Sequence, residues 1–172
     1  DELISVVVSD GESEVMLATN DGIANRFPEN QIRIVGRAGQ GVIGIRLNKG
    51  DGVKSMAIVN EEEELLTITE MGWGKRAKAG NYRLTRRGSK GVINTKTEKY
   101  GKVVASISVG DSDSIMATTS SGKVINTSIE ELREMKRIGR GNRLIKLKDD
   151  EKVVAVAAYL KIDEENNELK TE

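Results

Sequence analysis

Cysteine and histidine are both absent from the 172 residues. Their absence removes disulfide frameworks, thiolate chemistry, thiolate or imidazole zinc sites and histidine-based triads at once. A chain without cysteine also suits a reducing compartment, so a cytoplasmic location is expected. Aromatic residues make up only 3% of the sequence, which argues against holding a single nucleic-acid strand by stacking its bases. No run of about 18 apolar residues occurs, so no membrane-spanning helix is expected. The start, Asp1-Glu2-Leu3-Ile4, lacks the basic and small-residue features of a signal peptide. It falls in mid-repeat, which leads us to expect a piece of a longer protein. Net charge is absent too: 27 basic residues balance 27 acidic ones, and bulk charge therefore says nothing about partners.

The distribution of charge is more telling. Residues 72–99 hold nine Lys/Arg against one Glu, and residues 133–148 hold seven against one. The compensating acid gathers at Glu61–Glu64, Asp149–Glu151 and the tail from Asp163 to Glu172. Such segregation is what a one-sided basic surface requires. It also follows a repeat of 50 residues: Gly22, Gly72 and Gly122; Gly41, Gly91 and Gly141; Arg33, Arg83 and Arg133; Arg37, Arg87 and Arg137; Arg46, Lys96 and Lys146. A fixed period of this size marks a repeat architecture. Cations presented at regular steps suit a partner that is itself regular and anionic.

Each unit reads as four short strands. The first has Leu3–Ser9, Val15–Thr19, a turn at Asn20-Asp21-Gly22, Ile23–Phe27, a long loop and Val42–Leu47. Asp-Gly supplies the positive φ that tight hairpins need. The second unit offers Val53–Val59, Leu65–Thr69, Trp73–Arg76 and Val92–Thr97; the third offers Val103–Val109, Ile115–Thr119, Lys123–Thr127 and Arg143–Leu147; a fourth begins at Val153–Leu160. The helical competitor is Ser128–Lys136, where Ser128 and Glu131 are spaced for a capping box. Short strands with regular turn signals predict an all-β fold of propeller-like blades, each of four antiparallel strands and about three in number. Three units are too few to close a usual ring, so an open arc, pairing with another copy, or a fragment is expected.

The long loops end in clusters of glycine and cation: Gly36-Arg37-Ala38-Gly39-Gln40-Gly41, Arg86-Arg87-Gly88-Ser89-Lys90-Gly91 and Lys136-Arg137-Ile138-Gly139-Arg140-Gly141. Glycine lets backbone approach a ligand closely, and the guanidinium fork matches phosphate oxygens. Such a loop can lie along a phosphate backbone. The string Gly39-Gln40-Gly41-Val42-Ile43-Gly44 matches a dinucleotide fingerprint, but a β-branched stretch follows where that site needs a helix. Trp73, flanked by Gly74, Lys75 and Arg76, reads as packing on a neighbouring blade rather than as a base-stacking platform.

These pieces resemble the C-terminal domain of the gyrase A protein of DNA gyrase. The matching stretches are Glu14–Thr19 with Gly22 and Arg26, Gly41–Leu47, Gly72-Trp73-Gly74-Lys75-Arg76 and Asp113–Met116. The likeness covers about residues 1–160 and corresponds to the latter half of that domain. It implies a β-pinwheel whose neighbouring blades exchange a strand and whose basic perimeter wraps duplex DNA. It also implies a non-catalytic part of an ATP-dependent type II topoisomerase that introduces negative supercoils. Partners there are the gyrase A N-terminal region and the gyrase B protein. The family's signature box, Gln-Arg-Arg-Gly-Gly-Arg/Lys-Gly, belongs to a first blade outside this stretch; Arg86–Gly91 resembles it with Thr85 and Ser89 as departures. The family's strand-cleaving tyrosine lies elsewhere, so Tyr82, Tyr100 and Tyr159 inherit no catalytic role.

The expected domain spans residues 1–160, with blades at about 1–50, 51–100 and 101–160, followed by an acidic tail, 161–172, read as disordered. Its expected DNA-binding residues are Arg26, Arg33, Arg37, Arg46, Lys75, Arg76, Arg83, Arg86, Arg87, Lys90, Lys96, Arg133, Arg137, Arg140 and Lys146. Contacts of this kind go to phosphate and carry little base preference. No cofactor, metal or catalytic residue is expected. Open end blades would leave strand edges free, which invites self-association. Two other readings remain: the C-terminal domain of the corresponding A-type protein of topoisomerase IV, and a propeller used as a protein-interaction platform.

Overall fold

Three β-hairpins recur at the 50-residue step, each closed by a glycine with positive φ: Gly22 (+80), Gly72 (+75) and Gly122 (+81). A computed structural model describes residues 2–110, 113–130 and 132–160. In chain order its strands are β1 (Glu14–Thr19), β2 (Ile23–Pro28), β3 (Val53–Val59), β4 (Glu64–Thr69), β5 (Trp73–Lys78), β6 (Val92–Ile93), β7 (Val103–Val109), β8 (Asp113–Thr119), β9 (Val124–Ser128), β10 (Asn142–Arg143) and β11 (Val153–Leu160). One four-residue helix, α1 (Thr97–Tyr100), follows β6. The fold is all-β, with three antiparallel sheets in repeat.

Each unit keeps its hairpin and gives its outer strands to the sheet before it. The first sheet runs β3-β1-β2-β6, the second β10-β5-β4-β7, and the third β11-β8-β9. The order of strands within a unit therefore departs from the sequence expectation. Leu3–Ser9 and Val42–Leu47 form no ladder strand, and within the latter Ile45 makes a single bridge to Ser89. Val92–Thr97 shortens to β6 because Asn94 and Thr95 turn their N–H groups onto the Gly22 carbonyl, at 2.7 and 3.1 Å. The chain then closes α1 where the sixth residue of the expected strand stands. Likewise Leu144 and Ile145 donate to the Gly72 carbonyl, at 2.9 and 3.2 Å, and end β10. The helical competitor at Ser128–Lys136 gives no helix among the described residues: Ser128 ends β9, a bend follows and Glu134 bridges to Arg76, while Glu131 lies outside the described residues.

Sheets stack face to face because strand side chains alternate between faces. Met16 and Ala57 of the first sheet meet Leu65, Ala77 and Tyr82 of the second unit. Leu66 and Ile68 of the second meet Ile115, Ile129 and Leu132 of the third. A third cluster, Val15, Leu17, Phe27 and Ile45, closes the outer side of the first sheet. Burying each of the Leu, Ile, Val, Phe and Met side chains among them stabilises by roughly 1.5–3 kcal/mol. Polar groups caught between sheets are paired: Tyr82 donates to Asn94 Oδ1 at 2.7 Å, and Asn94 Nδ2 donates to Thr67 Oγ1 at 3.1 Å.

Candidate nucleic-acid interface

Where a loop cation ends up depends on which strand face or loop surface bears it. Arg26, in β2, points between the first two sheets and is 2% exposed. Its guanidinium bonds Glu14, approaches Glu61 at 3.3 Å and donates to the carbonyls of Ala79 and Tyr82, each at 3.0 Å. Burial alone would lower its affinity for the proton, but the two carboxylates outweigh that and hold it charged. Lys75, in β5, is buried as well, with its ammonium donating to the carbonyls of Asn94 and Arg137. Burial, followed by the nearby charge of Arg137, pushes its pKa down to about 8. Arg76 is mostly buried against Glu64 at 2.9 Å. Arg26 and Lys75 join sheets and are not placed on the surface, whereas the Arg76–Glu64 pair spans β5 and β4 of one sheet.

The loop cations lie differently. Arg33, Arg37, Arg46, Arg83, Arg86, Lys90, Lys96, Arg133, Arg140 and Lys146 are all exposed. Arg87 and Arg137 are half-buried and act as clasps between successive loops. Arg87 donates to the Gln31 carbonyl at 3.1 Å and to the Ile43 carbonyl at 2.7 Å. Arg137 repeats the second contact on the Ile93 carbonyl. Both loops also share a backbone anchor: Thr85 N donates to Arg26 O at 2.8 Å, and Met135 N donates to Arg76 O at 2.7 Å.

Two concavities gather cations. A notch of about 130 Å³ is lined by Lys96, Lys99, Arg140, Thr95 and Tyr100. A shallower groove of about 440 Å³ holds Lys90 and Arg137 beside Ile23 and Asn48. Above the notch, Trp73 is half-buried and packs on Tyr100 with ring centroids 5.1 Å apart. Arg140 and Arg143 lie over its indole at 5.1 and 5.6 Å, a cation–π arrangement. Packing is thus the observed role of Trp73. Lys99 and Arg143 were not singled out by the loop pattern. The signal for Lys99 was present, since Lys49 stands 50 residues earlier, as Arg46 does before Lys96 and Lys90 before Arg140.

Among the described residues no helix is long and apolar enough to cross a membrane, and no group of three metal-ligating side chains forms. Glu151, in an acidic turn far along the chain, is held down to about 2 by bonds from Ser121, the Lys148 amide and Thr119. The expected acidic tail lies outside the described residues.

Comparison with known proteins agrees with this architecture. A family model described as the DNA gyrase C-terminal domain, beta-propeller, matches residues 13–60, 63–109 and 113–159. The chain is 35% identical over 173 residues to the gyrase A protein of Mycoplasma genitalium DNA gyrase, covering 100% of this chain and 21% of that protein. Over 61 residues it is 52% identical to the gyrase A protein of Deinococcus deserti, covering 34% of this chain and 8% of that protein. The chain thus spans about a fifth or less of the length of these relatives. A solved C-terminal domain of gyrase A superposes with TM-score 0.77 and 28% identity, over 87% of this chain and 51% of that one. The C-terminal domain of a DNA topoisomerase IV shares the fold, with TM-score 0.84 at 24% identity over 91% of this chain and 49% of that one. Repeat, sheet topology and sequence agree: the chain belongs to the DNA gyrase C-terminal domain family of β-propellers.

Proposed function

We propose that residues 1–160 bind duplex DNA without sequence preference, and bend or wrap it along the exposed loop cations. The carrying observation is the recurrence of exposed arginine and lysine at 50-residue steps on loops clasped in register by Arg87 and Arg137. Regular cations on a rigid support neutralise successive phosphates, and each such contact contributes a salt dependence near −0.9 in the log–log slope. Bending a short stiff duplex by 40–90° costs on the order of 1–6 kcal/mol, which about six phosphate contacts offset at low salt.

Within a gyrase this makes the chain a non-catalytic part of an ATP-dependent, cytoplasmic type II topoisomerase that introduces negative supercoils. Its partners there are the gyrase A N-terminal region and the gyrase B protein. The contacting set we propose is Arg33, Arg37, Arg46, Arg83, Arg86, Lys90, Lys96, Arg133, Arg140 and Lys146, with Lys99 and Arg143 added. Arg87 and Arg137 position these loops.

The test is to reseal a nicked circular plasmid with increasing protein and read the linking number. A shift growing with protein is expected, and its sign gives the sense of wrapping. Binding without a shift would restrict the chain to holding or planar bending. Absence of both would favour a protein-interaction platform.

A further inference from the structure

Trp73 and Arg143 are partners across β5 and β10, and Ile23 and Ile93 hold the same register across β2 and β6. The two junctions share their cations. Arg46, Lys49 and Lys90 stand 50 residues before Lys96, Lys99 and Arg140. What differs is aromatic: Trp73 stands where the first unit has Ile23, and Tyr100 where it has Gly50.

The aromatic pair changes what those cations can do. Tyr100 is buried, and its ring meets that of Trp73 at 5.1 Å. Lys99 lies over Tyr100 at 5.7 Å, and Arg140 over Trp73 at 5.1 Å. Lys96, Lys99, Tyr100 and Arg140 line the notch of about 130 Å³, so two of its three cations rest on rings. A cation held over a ring is ordered before any ligand arrives, and the ring leaves its N–H donors unspent. Arg87 and Arg137, by contrast, spend theirs on backbone carbonyls. Among the described residues, Lys96, Lys99 and Arg140 form no ion pair. Glu98, between the two lysines in sequence, lines the adjoining cavity with Asp21 instead. The same indole carries Arg143 at 5.6 Å. Arg143 lines a separate cavity with Glu70 and the acidic turn Asp149–Glu151, yet pairs with none of them. The ring thus keeps one guanidinium for the notch and another beside the acid.

We propose that the notch seats one phosphate of a duplex backbone, and that Trp73 is the positioning residue that presents Arg140 to it. Lys96, Lys99 and Arg140 offer donors and positive charge but no acceptor, which is the chemistry of an oxyanion seat. This rests on the DNA-binding reading above and deepens it. The second junction is the strong point of the cationic surface, and the first, with Ile23 and Gly50, is a weaker copy.

The experiment is a double-mutant cycle on the full chain: Trp73→Ile, Arg140→Ala and both together. Affinity for a labelled duplex is read by fluorescence anisotropy from low to high salt. Trp73→Ile installs the residue that the first unit carries in this register, and Trp73→Phe keeps a ring. Trp73→Ile is expected to weaken binding about fivefold and to flatten the log–log salt slope by about one. Arg140→Ala should do likewise, and the double change should cost no more than Arg140→Ala alone. Trp73→Phe should recover part of the loss. Trp73 is the single tryptophan, and its emission should change saturably with unlabelled duplex in the parent and much less in Arg140→Ala. Additive losses in the cycle, or parental affinity and slope in Trp73→Ile, would overturn the role of Trp73 while leaving duplex binding standing. Saturation of the emission change by low-millimolar inorganic phosphate would make the notch a free-anion site and overturn the backbone seat. A parent that binds no duplex at low salt overturns the wider reading and this one with it. Should circular dichroism show Trp73→Ile unfolded, the same cycle with Trp73→Phe decides, again by non-additivity.

Discussion

Lys75 is 4% exposed, and its ammonium sits between two backbone carbonyls, which compensate only part of its lost hydration. Its folded pKa of about 8 lies below the ordinary 10.5. Between those values the unfolded chain binds more protons than the folded one, so this group makes stability rise with pH across the window. Below about pH 8 the charged form weakens the fold. Replacing it, Lys75→Met, removes this dependence. Denaturant titrations of parent and variant from pH 7 to 10.5 should show the parent gaining on the variant by on the order of 3 kcal/mol. A difference flat with pH would mean that the amine remains in water. Nothing local in the sequence separates Lys75 from Lys78, which pairs with Glu62 at the surface. Alternation puts Trp73, Lys75 and Ala77 on one face of β5, but only the neighbouring unit's loop decides that this face is covered.

At the level of elements, glycine decides where a strand can dock. Gly91 and Gly50 both have positive φ, +72 and +84, yet Gly50 has nothing within 4 Å while Gly91 faces a carbonyl. Alanine at Gly50 should cost about 1 kcal/mol of backbone strain. Gly91→Ala should cost about 3 kcal/mol, because the clash with Ala24 also loosens β6. Equal costs in denaturant melts would show that β6 contributes little to the first sheet. The first hairpin was legible from Asp21-Gly22, since a turn is a local event, and the other two from Gly72 and Gly122 at the same place in the 50-residue period. The destinations of β3, β6 and β7 were not, because pairing a strand with the sheet before its own is a long-range choice among similar apolar segments.

Taken whole, the molecule presents most of its loop cations outward, spends Arg26 and Lys75 on holding its sheets together and pairs Arg76 with Glu64 within one sheet. The salt dependence of DNA affinity separates the two groups. Changing Arg86, Lys96 and Arg140 to alanine together should flatten the log–log slope by about three, equally on unrelated sequences, since each phosphate contact contributes about 0.9. Fluorescence titrations on duplexes of differing sequence, from low to high salt, make the measurement. A changed affinity with an unchanged slope would mean that these side chains do not meet phosphate.

The amino-acid sequence by itself determined the 50-residue period, the three hairpins, the all-β class and the glycine–cation loops. Each of these is written in residues close together or in plain periodicity, where propensity and turn chemistry act directly. Only the tertiary structure decided which cations are surface groups and which are buried clasps. It also decided which sheet receives each outer strand, and that Asn94 serves as a buried hub for Tyr82, Thr67 and Lys75. The physical reason is that burial belongs to pairs of surfaces: whether a lysine keeps its water depends on residues tens of positions away that pack across it.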